Sequence, residues 1–161
     1  MSRRIAPEGP GVKVVAVNRR ARHDYEIMES FEAGLALLGS EVKSLRAGRA
    51  DLKDGYGSIE GGQAWLIGVH ISPYQFAREG GHEPERARKL LLHRGEIERI
   101  RGKLDQKGLT LIPLRLYFKA GKAKVEVALA RGKARYDKRE TLKRRQAERE
   151  MQRAMRHKSI D

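Results

Sequence analysis

The chain has no cysteine, so disulfides and thiolate metal sites are excluded outright. Its five histidines (His23, His70, His82, His93 and His157) are scattered without the short spacings that bring imidazoles onto one metal, and neither metal nor any other cofactor is expected. No Gly-x-Ser-x-Gly elbow is present, and the spacing from Gly34 to Gly39 and Ser40 copies part of a phosphate-binding loop without its lysine. Carboxylates are plentiful, yet no spacing singles out a pair for acid–base work, so the chain is not expected to be an enzyme. No apolar run approaches the roughly 20 residues needed to span a bilayer, and the stretch from Met1 to Pro7 has no apolar signal core. A cytoplasmic protein with no membrane partner is expected. Aromatics are scarce, at 6%, and the one tryptophan, Trp65, reads as a core or barrel-end residue rather than a stacking platform.

What the chain has is positive charge. Lys and Arg number 35 against 21 Asp and Glu, a net charge of +14 over 161 residues, and the isoelectric point lies near 10.4. Such a surface calls for a polyanion, either nucleic acid or an anionic membrane surface. The length suits one domain with one core plus an appendage.

Residues 1–11 are polar, Gly- and Pro-rich, and read as a disordered lead-in. Val12 to Val17 is a β-branched strand; Asn18 is placed to cap the next segment, and Arg19, Arg20, Arg22 and His23 form a dense basic turn. From Tyr25 the apolar residues Ile27, Phe31, Ala33, Leu35 and Leu37 recur at period two with Glu29 the one charge among them, against Glu26, Ser30 and Glu32 opposite. This predicts one long strand with a buried and a wet face. Gly34 inside it marks a bulge, a bend or a close backbone approach. After Gly39 the period changes: Ser40 is placed as N-cap of a short helix with Val42 and Leu45 inward and Lys43 and Arg46 outward, and Gly48 stops it.

Gly61-Gly62 predicts a hairpin between strands over roughly 56–60 and 64–71. Pro73 to Arg88, with Gly80-Gly81 and alternating charges, reads as a mobile surface loop, and burial resumes at Leu90 to Leu92. Residues 96–107 carry Ile97, Ile100 and Leu104 on one stripe, an amphipathic helix packed on the body. A last hairpin alternates over Ile112, Leu114, Leu116 and Phe118, turns at Ala120-Gly121, and returns through Val125, Val127 and Leu129; Pro113 places that strand at an edge or gives it a bulge. Six strands around one helix close most simply as an antiparallel oligonucleotide-binding (OB-fold-like) barrel over residues 12–130, a mainly β fold with flanking short helices.

Residues 131–161 break the pattern. Twelve Lys and Arg stand against five Asp and Glu, and Leu142, Ala147, Met151, Ala154 and Met155 make only a thin apolar stripe. This basic tail is expected to be disordered when free and helical against a polyanion.

Arg19, Arg20, Arg22 and His23 beside Tyr25, Lys43 and Arg46 after the long strand, and Lys119, Lys122 and Lys124 around the last hairpin are candidate phosphate and base contacts. Glu32, a carboxylate on the wet side of a basic protein, accepts from base amino groups or orients an arginine. Each set also has the plain reading of a solvated face.

Several stretches together resemble one family. Glu32-Ala-Gly-Leu-Ala-Leu37 with Gly39-Ser-Glu-Val-Lys-Ser-Leu-Arg-Ala-Gly48 is similar to the signature of the SsrA-binding proteins, also called small protein B. Asn18 to Tyr25, Arg88-Lys-Leu-Leu-Leu92, Gly132-Lys133 and Asp137-Lys-Arg139 match further segments in the same order. The resemblance implies an RNA-binding protein that holds the tRNA-like domain of transfer-messenger RNA at its elbow and carries it to stalled ribosomes. Elongation factor Tu takes part indirectly, through the charged RNA. Asn18, Glu32 and Leu91 match positions tied to RNA binding, Leu91 expected to act through packing rather than direct contact, and Lys43, Ser44 and Arg46 lie in the matched signature. The tail, through Arg131, Gly132, Lys133, Tyr136, Asp137, Lys138, Arg139, Arg144, Arg145, Arg149 and Arg153, is then expected in the decoding centre and mRNA channel. The chain departs from the family's tail pattern at Ala134 and Tyr136, where relatives often carry Lys and His. Two other readings of the same charge are a structural ribosomal protein and a general RNA chaperone.

Overall fold

A computed structural model describes residues 11–77, 81–106, 108–132 and 145–155. The elements in chain order are β1 (Val12–Val17), α1 (Ala21–Asp24), β2 (Tyr25–Leu35), α2 (Gly39–Arg46), β3 (Ala50–Asp51), β4 (Tyr56–Glu60), β5 (Gln63–Ile67), β6 (His70–Ile71), β7 (Arg88–Leu91), α3 (Arg94–Leu104), β8 (Leu109–Lys119) and β9 (Lys122–Gly132). Residues 145–155 form a further helix, α4, whose side chains are all exposed.

β8, β4, β5, β7, β2 and β9 pair in that order, and β9 pairs back onto β8, so six strands close into a ring with every pairing antiparallel. The membership differs from the sequence reading. β1 lies outside the ring on the second edge of β8, while the short β7 joins β5 to β2. β3 and β6, too short to show a period, pair separately. Closure between β4 and β8 is narrow: Gly57 opposite Leu111 is their one paired position. A Cβ on Gly57 would lie 2.3 Å from Leu111 Cδ2, so only glycine lets the strands meet there.

The interior is filled by Phe31, Ala33 and Leu35 of β2, Leu66 of β5, Leu90 of β7, Leu111, Leu116 and Phe118 of β8 and Val125, Val127 and Leu129 of β9. Leu45 of α2 and Ile100 of α3, each fully buried, enter the same core, as their helical spacing predicts.

Two bulges correct the period-two reading of the long strands. The register of β2 on β9 shifts between Ile27 and Glu29, and that of β8 on β9 between Pro113 and Arg115. One extra residue moves every following side chain to the other face. Phe31 and Ala33 therefore face inward, opposite Val127 and Val125, while Tyr25 and Ile27 lie outside with Ile112, Leu114, Ala128 and Ala130. Ala21 of α1 completes this second, outer cluster. Proline signals the bulge at 113; nothing at Met28 signals the other. Gly34 is the site of a close approach, a Cβ there lying 3.2 Å from Leu91 Cβ.

Both hairpins turn where glycine placed them. Gly61 and Gly62 (φ 59° and 72°) join β4 to β5, and Ala120 and Gly121 (φ 49° and 77°) join β8 to β9. β9 continues to Gly132, opposite Tyr25, two residues past the boundary expected for the ring.

Candidate nucleic-acid interface

The β8–β9 turn, α2 and the β2–β7 pair enclose a shallow groove. Its floor is Leu35, Leu37, Val42, Leu91 and Phe118, and Lys122 and Lys124 stand at its side. The Gly34 approach lets Leu91 sit across β2, and, against the expected burial of residues 90–92, Leu91 is 52% exposed, an apolar group offered outward while Leu90 beside it enters the core. Arg46 lays its guanidinium 4.9 Å from the centre of the Phe118 ring, a cation–π contact that holds the charge over the groove. An apolar floor with a cationic margin suits a base against the floor and its phosphates at the margin.

The outer face of β2, β9 and β8 carries a second polar set adjoining the first. Glu32 lies directly opposite Glu126 across β2 and β9, and Glu126 opposite Arg115 across β9 and β8. Two carboxylates face to face repel, and the surroundings offset this. The Tyr117 hydroxyl donates to Glu32 Oε2 at 2.5 Å, and the Lys119 ammonium lies 3.4 Å from both Glu32 oxygens. Burial opposes ionisation of Glu32, but Tyr117, Lys119 and Lys124 outweigh it and hold the carboxyl below its ordinary value. Burial is likewise the first cause that pushes the Tyr117 hydroxyl far up, reinforced by its bond to Glu32. Glu126, 2% exposed, moves the other way: burial pushes its carboxyl up against the pull of Arg115 and Arg22. Glu32 is thus a fixed, charged acceptor, and Glu126 lies between it and Arg115 in the sheet.

A buried polar network seats α2. Glu41 and Arg88 are both 0% exposed and paired, and Arg86 Nη2 donates to Glu41 Oε1 at 2.5 Å. Arg88 also donates to the carbonyls of Val69 (2.7 Å) and Pro84 (3.0 Å), so its donors are matched rather than stranded. Burial works against the Glu41 charge, yet Arg86, the Leu38 amide and Arg88 hold that carboxyl low. His82 bridges Ser40 Oγ and the Ile71 carbonyl, each at 2.9 Å. Residues 82–88 are therefore pinned into the body, and this part of the stretch from Pro73 to Arg88 is not the mobile loop that Gly80-Gly81 and the alternating charges predict.

The helix cap is also corrected. Leu38 occupies the N-cap position and its amide donates to Glu41 at 2.8 Å, while the Ser40 hydroxyl goes to His82. Asn18 is not a cap: its side-chain amide donates to the Pro113 carbonyl at 3.0 Å, tying the basic turn to the β8 bulge. Ser44 is 1% exposed and donates to the Ser72 carbonyl at 2.6 Å, so its hydroxyl serves the fold and not the surface.

The remaining candidates fall into a few separate places. Arg19, Arg20, Arg22 and His23 are exposed on and before α1, with Tyr25 half-buried beneath them. Glu32 and Lys119 share the outer face, and Lys124 stands between it and the groove. Lys43 and Arg46 are exposed on α2, Lys43 over the ring of Tyr74 at 5.5 Å. Arg131 and Gly132 end β9, and Arg145, Arg149 and Arg153 are exposed on α4. Lys133, Tyr136, Asp137, Lys138, Arg139 and Arg144, like residues 1–10, lie outside the described residues. Sequence reasoning misses Tyr117, Glu126 and Arg115, which only cross-strand register brings to Glu32. It also misses Arg86 and Arg88, paired with Glu41 over 45 and 47 residues of chain.

Among the described residues no group of His, Cys, Asp or Glu is placed to hold a metal, and no helix is long and apolar enough to cross a membrane. A closed β scaffold with a cation-margined apolar groove and a charged acceptor beside it defines a protein whose working surface is a polyanion-binding face. The SmpB protein family model matches residues 15–157, nearly the whole chain. The chain belongs to this SsrA-binding protein family. It is 56% identical over 151 residues to the SsrA-binding protein of Solidesulfovibrio magneticus, covering 94% of this chain and 98% of that one. It is 60% identical over 144 residues to that of Gloeothece citriformis, covering 89% and 93% respectively. A chain in a solved structure described as "tmRNA-SmpB: a journey to the center of the bacterial ribosome" superposes with a TM-score of 0.63 at 53% identity, over 73% of this chain and 83% of that one.

Proposed function

We propose that this chain binds the tRNA-like domain of transfer-messenger RNA and delivers it to stalled ribosomes, acting as a binding factor in the cytoplasm and not as an enzyme. The observation that carries the reading is the family match through both the ring and the tail, joined to a groove whose margin is cationic where an RNA ligand needs it. The ring is read as an OB-like barrel, whose curved face suits looped-out bases and whose cations neutralise the flanking phosphates. Arg19, Arg20, Arg22, Lys43, Arg46, Lys119 and Lys124 supply that neutralisation, with Glu32 as the acceptor. Residues 131–161 are assigned the decoding centre and mRNA channel, where Asp137, Lys138 and Arg139 stand at the start of a basic segment that is helical over 145–155.

The test is which RNA co-purifies with the full chain from cells expressing it at native level. One dominant RNA, transfer-messenger RNA, is expected. Stoichiometric ribosomal RNA, or a mixture without preference for a tRNA-like shape, overturns the assignment.

A further inference from the structure

The most exposed large apolar side chain among the described residues is Phe76, at 72%. It lies on the turn between β6 and β7, away from the groove, and no candidate contact includes it. An aromatic ring left in water forgoes much of its burial energy. A ring on a slack loop would fold back, but this turn is braced at its root. The Ser72 carbonyl accepts the Ser44 hydroxyl at 2.6 Å, the Ser72 amide donates to the Arg49 carbonyl at 3.1 Å, and the Ala77 amide donates to the Tyr74 carbonyl at 3.0 Å. The Lys43 ammonium lies over the Tyr74 ring at 5.5 Å, and Tyr74 and Phe76 form a T-shaped pair with ring centres 5.6 Å apart and planes at 70°. The two rings do not stack on one another, and Phe76 keeps 72% of its surface open to solvent.

Cations stand on the neighbouring helix and just past its end. Lys43 and Arg46 are exposed on α2, with Arg49 exposed just past it. α2 is the ridge between two places: Val42 lines the groove on one side and Lys43 reaches Tyr74 on the other. A strand of RNA with its phosphates on Lys43 and Arg46 therefore has an apolar floor on one flank of α2 and an uncovered aromatic ring on the other. Stacking on an aromatic face beside a cation is how unpaired bases are held without regard to their identity.

We propose that Phe76, braced by Tyr74 and Lys43, is a stacking platform for an unpaired base of the bound RNA, beyond the groove and across α2 from it. This rests on the RNA-binding reading above and adds a second base-binding place to it. Phe76 serves every base alike, so its contribution is affinity rather than sequence choice, and Tyr74 positions it.

The experiment measures binding of the full-length protein and of Phe76→Ala, Phe76→Leu and Phe76→Trp to the tRNA-like domain of transfer-messenger RNA, with thermal melts of each. Phe76 is exposed, so all four proteins are expected to melt together. Stacking predicts that Ala and Leu both weaken binding about 5- to 100-fold while Trp retains it. If Phe76→Leu binds like the parent, shape and apolarity suffice and base stacking is wrong. If all variants bind the RNA equally but fail to engage ribosomes, the ring docks on a protein or ribosomal surface, which also overturns the proposal. A parent protein that does not bind this RNA fails the functional reading instead, a result distinct from either.

Discussion

Replacing Tyr117 by phenylalanine removes one oxygen from the outer face and leaves its shape intact. The lost interaction is a 2.5 Å hydrogen bond to a charged carboxylate, a type worth about 1.5–3 kcal/mol. The lower end applies here. Lys119 keeps its 3.4 Å approach to both Glu32 oxygens, the Glu32 side chain is 24% exposed so that water can enter, and the phenylalanine strands no donor. The expected loss at neutral pH is about 1.5 kcal/mol. Its pH dependence carries the stronger test. Glu32 is held below its ordinary value of 4.5, so the stability it contributes is present above that pH and lost as pH falls through the lowered value. Without the hydroxyl less of that lowering remains, so the gap between variant and parent is full at neutral pH and closes in acid. Glu126, held above 4.5, has the opposite sign: its contribution falls as pH rises through the window between 4.5 and its raised value. That window is common to both proteins and largely cancels in the difference. Urea unfolding of parent and Tyr117→Phe at matched pH steps from neutral to acid reads the gap directly. A gap that stays constant, or widens in acid, refutes the account of Glu32 as a carboxylate kept charged by Tyr117.

Gly57→Ala sets a methyl 2.3 Å from Leu111 Cδ2 and 3.0 Å from Leu111 Cβ at the one position where β4 meets β8; a loss of about 1–3 kcal/mol is expected in denaturant unfolding. Glu41→Ala strands the fully buried Arg88 and is expected to cost about 3–5 kcal/mol, with the parent's advantage declining once acid protonates Glu41. Reversing charge at Arg22 or Lys43 is expected to weaken RNA binding by about 1–3 kcal/mol for each charge-assisted hydrogen bond removed, more so at low salt than at high; equal weakening at all salt concentrations speaks against a phosphate partner. Deleting residues 140–161, or changing Asp137, Lys138 and Arg139 together to alanine, is expected to leave RNA affinity nearly intact and abolish tagging on stalled ribosomes; a parallel fall in both would show that the tail shares in RNA recognition.

The strands, both hairpins and α3 are legible in the sequence because period and turn chemistry are local signals. Val12–Val17 and Tyr56–Glu60 can be read at their observed limits. The faces of β2 cannot, because a bulge at Met28 reverses the alternation and leaves no residue to announce it. At β8 the proline does announce one. The candidate cations are legible as charge clusters, and most of them are exposed as a binding role needs. Ser44 misleads because a serine between two exposed cations reads the same whether its hydroxyl faces water or the Ser72 carbonyl. The pairs Tyr117–Glu32 and Arg88–Glu41 are 85 and 47 residues apart. Pairing at such distances comes from the closed ring and not from any local pattern.

β9 lies between β2 and β8, yet it is the last strand to be synthesised in the ring. Until residues 122–132 have left the ribosome, β2 has no partner along most of its length; Tyr25 waits for Gly132 and Phe31 for Val127. Such distant pairings pay loop-closure entropy before they return any energy, so this body folds late and as a unit rather than strand by strand. A nascent chain interrupted before β9 presents two long unpaired edges and an uncovered core, the form most prone to pair with another such chain. Completion of its own synthesis is thus a condition of this protein's solubility.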